Sequence, residues 1–541
     1  MSRHSAGGDF LRFNMQRVLP LGRSTFQTLR VRNEIYVDKT TLVFELARYD
    51  SKIFLARPRR FGKTLLTSTF ESLFKDGLKY FHGLAIEKLW KDKTYPVIKL
   101  DFSEIKEFSN AAVFKNKFEE KIRAVFASIG FKFVANDLSV MTQLSSFLSS
   151  LEPASLVILI DEYDAPLTHC LDNPKLFEEI RSIMSELFLI LKSNEGCQRF
   201  FFMTGITKFS NTSIFSAFNN LQDISLDPRY GNLLGYSDEE IKTNFSSYLN
   251  EAANALHITA EEVFSELKRN YDGFAFDEKA SIRVYCPWSV LCFLSRPDRG
   301  FQNYWFESGG QPTVLLRYLK NHALQSPIAY KQSIIYSLSG LRASRQYDEI
   351  DPEALLLQTG YLTIKSLEGG DFVRLDYPNE EVAVSMARLY AENLLRQDRT
   401  GLSGVARLEK TLSTGNLDEI VGTFNRVLTS IDYHRYPIHD ESSCRAYLQV
   451  LMIGAALIPR VEVHNAFGRS GLEVETGRRH WIFELKYAKK SADASSRLEE
   501  ALHQTTVRRY GEGDASDKEL LRVALVFSEE ARAFVAWRLI P

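Results

Sequence analysis

A small set of polar residues stands where short apolar runs end. The first group lies in ARPRRFGKTLLTST (56–69), which follows the run SKIFLA (51–56) and opens the helical pattern LLTSTFESLFKDGL (65–78). A strand that turns through glycine into a helix presents backbone N–H groups and a positive helix end to an anion. In that frame Gly62 lets the backbone approach phosphate oxygens, Lys63 reaches the β- and γ-phosphates, and Thr64 ligates Mg²⁺. The usual spacing is GxxxxGK[ST], and Arg57 occupies its first glycine position. By itself this is half a motif, and a basic helix start on the surface would use the same residues.

The second half follows about a hundred residues later. LVILIDEYDAP puts Asp161 and Glu162 at the end of an apolar run. Two adjacent carboxylates there are costly to desolvate unless something uses them. The matching chemistry is phosphoryl transfer to water: Asp161 anchors Mg²⁺ and Glu162 polarises the attacking water. A third run, QRFFFMTGI (198–206), leads into the threonines Thr204 and Thr207. These hydroxyls either sense a γ-phosphate or cap the following turn.

The rest of the composition narrows the setting. The chain has 541 residues, 45% hydrophobic and 25% charged, enough for two to four domains. The 38 phenylalanines allow sizeable cores, which excludes disorder and fibrous repeats. A formal charge of −1 excludes a whole-molecule field for nucleic acid, so any DNA contact must come from a local patch. Cys170, Cys197, Cys286, Cys292 and Cys444 form no CxxC pair, which argues against zinc and a disulfide framework. The N-terminus lacks a signal-peptide core. The longest apolar stretch, 447–459, is interrupted by Gln449 and falls short of the roughly 20 residues that span a bilayer. A cytoplasmic protein with no membrane partner is expected.

These residues need elements to hold them. Between Phe26 and Asp227, the runs SKIFLA, YPVIKLDF (95–102), SLVILID (155–161) and QRFFFMTGI alternate with helical patterns such as 177–193. That alternation predicts a mostly parallel α/β sheet. From Gly235 the pattern turns helical to about Asn321, opening with the capping-box pair Ser237 and Glu240. The stretch 325–430 supports no single assignment. The last part predicts a helix (441–457), strands at 471–476 and 480–486, a helix (494–510) and a final strand (519–528), a compact α-β-β-α-β unit.

YVDKT (36–40), RPRRFGKT (57–64), YPVIKLDFS (95–103), LIDEYDAPL (159–167), TGITKFS (204–210), GYSDEE (235–240), YDGFAF (271–276) and YWFESG (304–309) occur in order. Together they resemble the bacterial AAA-ATPase-like family whose members carry a C-terminal nuclease-like domain of the PD-(D/E)XK type. The arginine at position 57 is similar to that family's own RPRRFGK pattern, whereas Cys286 departs from its usual Asn. The resemblance implies a phosphate-loop ATPase core (17–234), a helical lid region (235–324), a connecting region (325–431) and a small restriction-endonuclease-like α/β domain (432–541). It implies ATP and Mg²⁺ as cofactors. Lys63 and Thr64 would bind phosphate and magnesium, Asp161 would be the second magnesium anchor, and Glu162 the general base. Arg57, Arg59 and Arg60 suit a nucleotide contact, an arginine finger supplied to a neighbouring copy, or a DNA-facing patch. Asp38 and Lys39 belong to a signature near the nucleotide, with no role that first principles assign.

Metal-dependent phosphodiester cleavage of the implied type needs acids to hold Mg²⁺ and a lysine to orient or deprotonate water. Family members carry an Asp, then Glu-x-Lys, with another Glu on the preceding helix. Glu484 and Lys486 supply Glu-x-Lys and share one strand face, while Trp481, Phe483 and Leu485 pack the other. Glu441 resembles the helical acid, and Gln504 and Tyr510 the trailing Gln…Tyr helix. Glu441 and Glu484 would be the metal ligands, Glu484 and Lys486 the catalytic pair.

Gly471 sits where the Asp belongs. Glu473 and Glu475 share its face but are displaced by about 6.6 Å and about 13 Å along the strand, so rescue by Glu473 is strained. Arg478, Arg479, Lys489, Lys490, Arg508 and Arg509 could make salt-sensitive, sequence-blind phosphate contacts. The sequence therefore reads as an ATP-hydrolysing protein whose nucleotide state controls a nuclease-like domain acting on DNA, in defence or on a mobile element, with homo-oligomerisation as a further expectation. The alternative is a nucleotide-dependent switch whose inactive nuclease-like domain binds nucleic acid or protein.

Overall fold

The computed structural model describes residues 17–49, 51–208, 221–305, 315, 334–342, 351–394, 408–429, 433, 437–455, 457, 459–461, 464–465, 468–469, 471–507 and 518–540. They form two compact units. One holds the chain to Leu167 with Lys175–Asp277 and Ser281–Tyr304, and the other holds Thr168–Pro174, Glu278–Ala280 and the chain from Trp305. Tyr510 and Arg508–Arg509 lie outside the described residues.

The first unit is built on β1 (Lys52–Ala56), β2 (Val97–Asp101), β3 (Leu156–Asp161), β4 (Gln198–Gly205) and the short β5 (Gln222–Asp223). They pair in the order β2-β3-β4-β1-β5, with every pairing parallel. All six residues of β3 and all eight of β4 are buried, as continuous apolar runs covered on both faces must be. The Lys63–Asp76 helix seals one face, with the Phe70 ring packed at a tilt 4.9 Å from Phe200 and 5.0 Å from Phe202. Because the strands run the same way, Ala56, Asp101, Asp161 and Gly205 all end at one edge. The register sets Ala56 beside Gly205 and Asp101 beside Asp161.

The helical part follows as Asp238–Asn244, Ser246–Leu256, Ala260–Tyr271 and Pro287–Ser295. Its first helix opens with the expected Ser237–Glu240 capping box, and Thr259–Glu262 forms a second. The helices close over Ile35, Val37, Phe245, Leu267 and Phe293 in one apolar cluster. Residues 272–286 are not helical, contrary to the expected run. They loop back through bridges Tyr236–Tyr285 and Phe274–Val284, and Pro287 then starts the next helix. Residues 306–314 and 316–321 of that run lie outside the described residues.

In the second unit, the ambiguous 325–430 region contains an antiparallel sheet of β6 (Ile334–Ser337), β7 (Thr363–Gly369) and β8 (Phe372–Asp376), ordered β6-β8-β7. The helices Pro352–Thr359, Glu380–Leu394 and Leu417–Thr429 accompany it. The short β9 (Arg460–Val461), β10 (His464–Asn465) and β11 (Gly468–Arg469) lead into β12 (Leu472–Glu475), β13 (Arg479–Ala488), β14 (Glu519–Ser528) and β15 (Ala533–Ile540). The sheet order is β15-β14-β13-β12-β9, with only β13 and β14 parallel. The Ala494–Val507 helix makes the crossover between them and packs Leu498 and Ala501 against Ala524 and Val526.

The strand 519–528 is therefore not the last. The turn into β15 takes its left-handed residue from Arg532 (φ 52°) rather than from Gly or Asn, so it carries no turn signal. Among the described residues no disulfide links the five cysteines, and no described helix is long and apolar enough to cross a membrane.

Gly205 shows how tightly the first unit's edge is packed. A Cβ there would lie 2.6 Å from Asp164 Oδ1 and 2.7 Å from Tyr163 Cδ1. Asp164 cannot yield easily, because it accepts the N–H groups of Ile206 and Thr207 and the Thr207 hydroxyl. Gly205→Ala is expected to destabilise by about 1–3 kcal/mol, read as a lowered Tm by calorimetry.

Candidate nucleotide and nuclease-like sites

After β1 the chain turns through Arg60 (φ 71°) and Gly62 (φ 93°) into the Lys63–Asp76 helix. Lys63 is its first residue and is 6% exposed. Its Nζ donates back to the Arg57 and Pro58 carbonyls, both at 3.0 Å, curling the loop around the ammonium. Burial lowers the Lys63 pKa, while Glu162, Asp161 and Asp164 oppose that shift. The cradle has the glycine turn, helix N-terminus and inward-facing cation that an anion needs.

Asp161 ends β3 and is 1% exposed. Its Oδ1 accepts the Glu162 N–H at 3.1 Å, and its Oδ2 is buried without a hydrogen-bond partner. Burial raises its pKa, and Thr64 and Lys63 pull it down. Glu162, half-buried, takes a left-handed backbone (φ 47°) that non-glycine residues rarely adopt. Its pKa is also raised by burial, against the pull of Lys63. A buried carboxylate oxygen with no donor, beside the Thr64 hydroxyl, is the hard-oxygen donor chemistry that suits Mg²⁺. The residues present therefore fit that ion.

Two expectations need correction here. Arg57 is 1% exposed and committed to the fold. Its guanidinium donates to the Ala56 carbonyl at 2.9 Å, Ser225 at 2.6 Å and Tyr230 at 3.2 Å, and lies over the Phe276 ring. Burial lowers its pKa to about 9, so it remains a cation at neutral pH. A side chain so enclosed is no DNA-facing patch and braces the loop from beneath. Thr204 is fully buried, and its hydroxyl donates to the Leu55 carbonyl at 2.7 Å, tying β4 to β1 instead of facing a ligand. Thr207 is held by Asp164. Arg59 is half-buried, and Arg60 is exposed and lies over Trp288.

Sequence reasoning passed over two features. Asp101, in register with Asp161, adds a third carboxylate whose charge raises the pKa values of Asp161 and Glu162. A pocket of about 90 Å³ opens beside Gly62, walled mainly by apolar side chains. Only the YVDKT and GYSDEE signatures pointed there. Asp38 turns out to brace the backbone, accepting the Thr40 and Ala85 N–H groups at 2.8 Å.

In the second unit Glu484 and Lys486 share a face of β13 as expected, and Trp481, Phe483 and Leu485 are buried on the other. Neither polar residue is solvated: Glu484 is 4% exposed and Lys486 6%. Lys486 Nζ is the hub of the cluster. It lies 3.6 Å from Glu441, 3.6 Å from Glu484 and 3.8 Å from Glu500, and 3.0 Å from Gln504 Oε1. Leu472 pairs with Phe483, so Gly471 lies across from Glu484. A Cβ on Gly471 would sit 3.4 Å from Glu484 Oε2, but only 2.7 Å from the Phe483 carbonyl oxygen.

The missing acid's place thus faces Glu484 and is crowded by backbone. Glu473 does not replace it. Its carboxylate is 3.2 Å from His480 Nε2 and 3.8 Å from Arg460. Glu475 pairs with Arg460 and Lys518. Among the described residues no three acidic, His or Cys side chains converge to hold a metal. The Glu441, Glu484 and Glu500 carboxylates are drawn to the Lys486 ammonium, and position 471 supplies no acid.

The raised pKa values at the first site have a consequence for stability. A carboxyl whose pKa is raised by the fold stabilises it fully below the ordinary range and loses that contribution as pH rises through the raised value. Glu162→Gln should therefore raise the Tm of ligand-free protein near neutral pH, by about 2–4 °C for each ~1 kcal/mol relieved. The difference should vanish below about pH 4. Thermal melts of both proteins across that range test it.

Comparison with known proteins agrees with both parts. Residues 20–215 match the family model described as predicted AAA-ATPase, and residues 445–537 match the PD-(D/E)XK nuclease superfamily. An uncharacterised protein in the vnfD 5′ region of Azotobacter chroococcum mcd 1 is 27% identical over 535 residues, covering 96% of this chain and 98% of its own. The crystal structure of Cdc6p from Pyrobaculum aerophilum aligns with 78% of this chain and 86% of its own, at 13% identity and a TM-score of 0.26. So low a score carries no argument, and the α/β assignment rests on strand order and register. Over these two stretches the chain is thus similar to the predicted AAA-ATPase family and to the PD-(D/E)XK nuclease superfamily.

Proposed function

We propose that this chain binds and hydrolyses ATP, and that its nucleotide state governs the nuclease-like region. The observation that carries the reading is the meeting of Lys63, Asp161 and Glu162 at one edge of the parallel sheet, with Asp161 Oδ2 buried and lacking a partner. Lys63 leaves the loop carbonyls for the β- and γ-phosphate oxygens. Thr64 and Asp161 would hold Mg²⁺, which would supply charge neutralisation for the phosphates. Glu162 orients a water and accepts its proton at a carboxylate oxygen as the γ-phosphoryl departs. Arg59 and Arg60 serve phosphate contact or reach a neighbouring copy in a homo-oligomer. The pocket beside Gly62 takes the base. The division into core (17–234), lid (235–324), connecting region (325–431) and nuclease-like domain (432–541) is part of this reading, as is a cytoplasmic setting.

For the nuclease-like region, the position of Gly471 and the engagement of Glu473 favour the second reading, a module that binds DNA without cutting it. Its contacts would be to phosphates, hence salt-dependent.

Glu162→Gln should retain ATP binding and lose turnover by about 100-fold or more, measured as phosphate release. Lys63→Ala should lose nucleotide affinity, and unchanged affinity would sink the phosphate-loop assignment. Wild type should leave circular DNA intact with Mg²⁺ or Mn²⁺, with or without ATP. Cleavage that disappears in Glu484→Ala would reject the binding-module reading.

A further inference from the structure

The pocket beside Gly62 has one charged side chain among its described lining residues, Lys39. Around it stand Ile35, Val43, Leu65, Leu234 and Pro287. An ammonium in so apolar a wall is unfavourable unless it is paired, and burial does lower the Lys39 pKa, with Glu240 opposing. Lys39 Nζ lies 2.6 Å from Glu240 Oε1 and 2.7 Å from Oε2, and the Lys39 side chain is 12% exposed.

Glu240 is itself fixed, accepting the Ser237 N–H at 2.8 Å in the capping box. On the other side Asp38 accepts the Thr40 and Ala85 N–H groups and pins the backbone next to Lys39. An ammonium carries three donors. Both Glu240 oxygens belong to one carboxylate and lie on one side of Nζ, so the ammonium keeps N–H donors beyond that pair, and Lys39 lines the pocket. Gly62, at the start of the phosphate cradle, lines the same pocket.

We infer that Lys39 reads the nucleotide base: its remaining N–H donates to a ring nitrogen of a bound purine, and Glu240 orients it. This rests on the nucleotide reading above and adds the contact that recognises the base. Lys39 is then a specificity residue, and Glu240 a positioning residue acting through it. A ligand with phosphates and no base should be indifferent to both.

The test is titration calorimetry with ATP and with inorganic tripolyphosphate, each with Mg²⁺, on wild type, Lys39→Met and Lys63→Ala. Lys39→Met should weaken ATP by about 10- to 100-fold, the range for a charge-assisted hydrogen bond, and leave tripolyphosphate unchanged. Lys63→Ala should weaken both ligands. Equal weakening of both by Lys39→Met would mean a structural role and overturn the inference. So would no effect on ATP while Lys63→Ala abolishes binding, and in that case the nucleotide reading survives. If wild type binds neither ligand, both readings fall.

A second arm needs no substitution in the protein. Wild type is titrated with ATP analogues in which N1, N3 or N7 is replaced by carbon. One of them should bind about 10-fold or more weakly than ATP. If all three bind as ATP does, Lys39 donates to no ring nitrogen and the inference fails, even where Lys39→Met does not fold.

Discussion

One ammonium and two carboxylates, those of Lys63, Asp161 and Glu162, are drawn largely out of water at the same edge of a sheet. Each alone would be unfavourable there. They are tolerated because their charges face one another and because the surrounding backbone leaves them little freedom. The parallel order β2-β3-β4-β1-β5 makes this possible, since every strand delivers its last residue to that edge. Residues beneath the edge then act as bracing. Arg57 ties the loop to the Ser225 and Tyr230 carbonyls, Thr204 ties β4 to β1, and Asp164 clamps the turn after Gly205. The strained backbone at Arg60 and Glu162 persists only because these contacts hold it.

The nuclease-like region solves the same electrostatic problem differently. Its buried Glu484 faces a lysine of the same strand, and that lysine also draws Glu441 and Glu500. The neighbouring buried acid, Glu473, is satisfied by His480 and Arg460. At the first site Asp161 Oδ2 is buried without a hydrogen-bond partner.

What the sequence determined by itself was local. Continuous apolar runs marked β1 to β4, because strands buried on both faces must be apolar throughout. Ser237 and Glu240 marked a helix start, because a capping box needs only residues three apart. Gly62, Lys63 and Thr64 were legible because their chemistry lies within one turn, and Gly471 because its neighbours in the chain identify the position. The 361–376 hairpin in the connecting region and the last strand were not legible. The first left too weak an alternation, and the second follows a turn whose left-handed residue is Arg532.

Tertiary structure alone decided which partners the polar groups meet. Nothing in the residue types of Arg57 and Thr204 says that carbonyls from 168 residues further along, or from a neighbouring strand, will take their donors. The partnership of Lys39 with Glu240 joins residues 201 positions apart, and Asp101 meets Asp161 only through strand register. A hydrogen bond or an ion pair depends on distance in space, and spacing along the chain fixes that distance only within a turn, a helix or a strand.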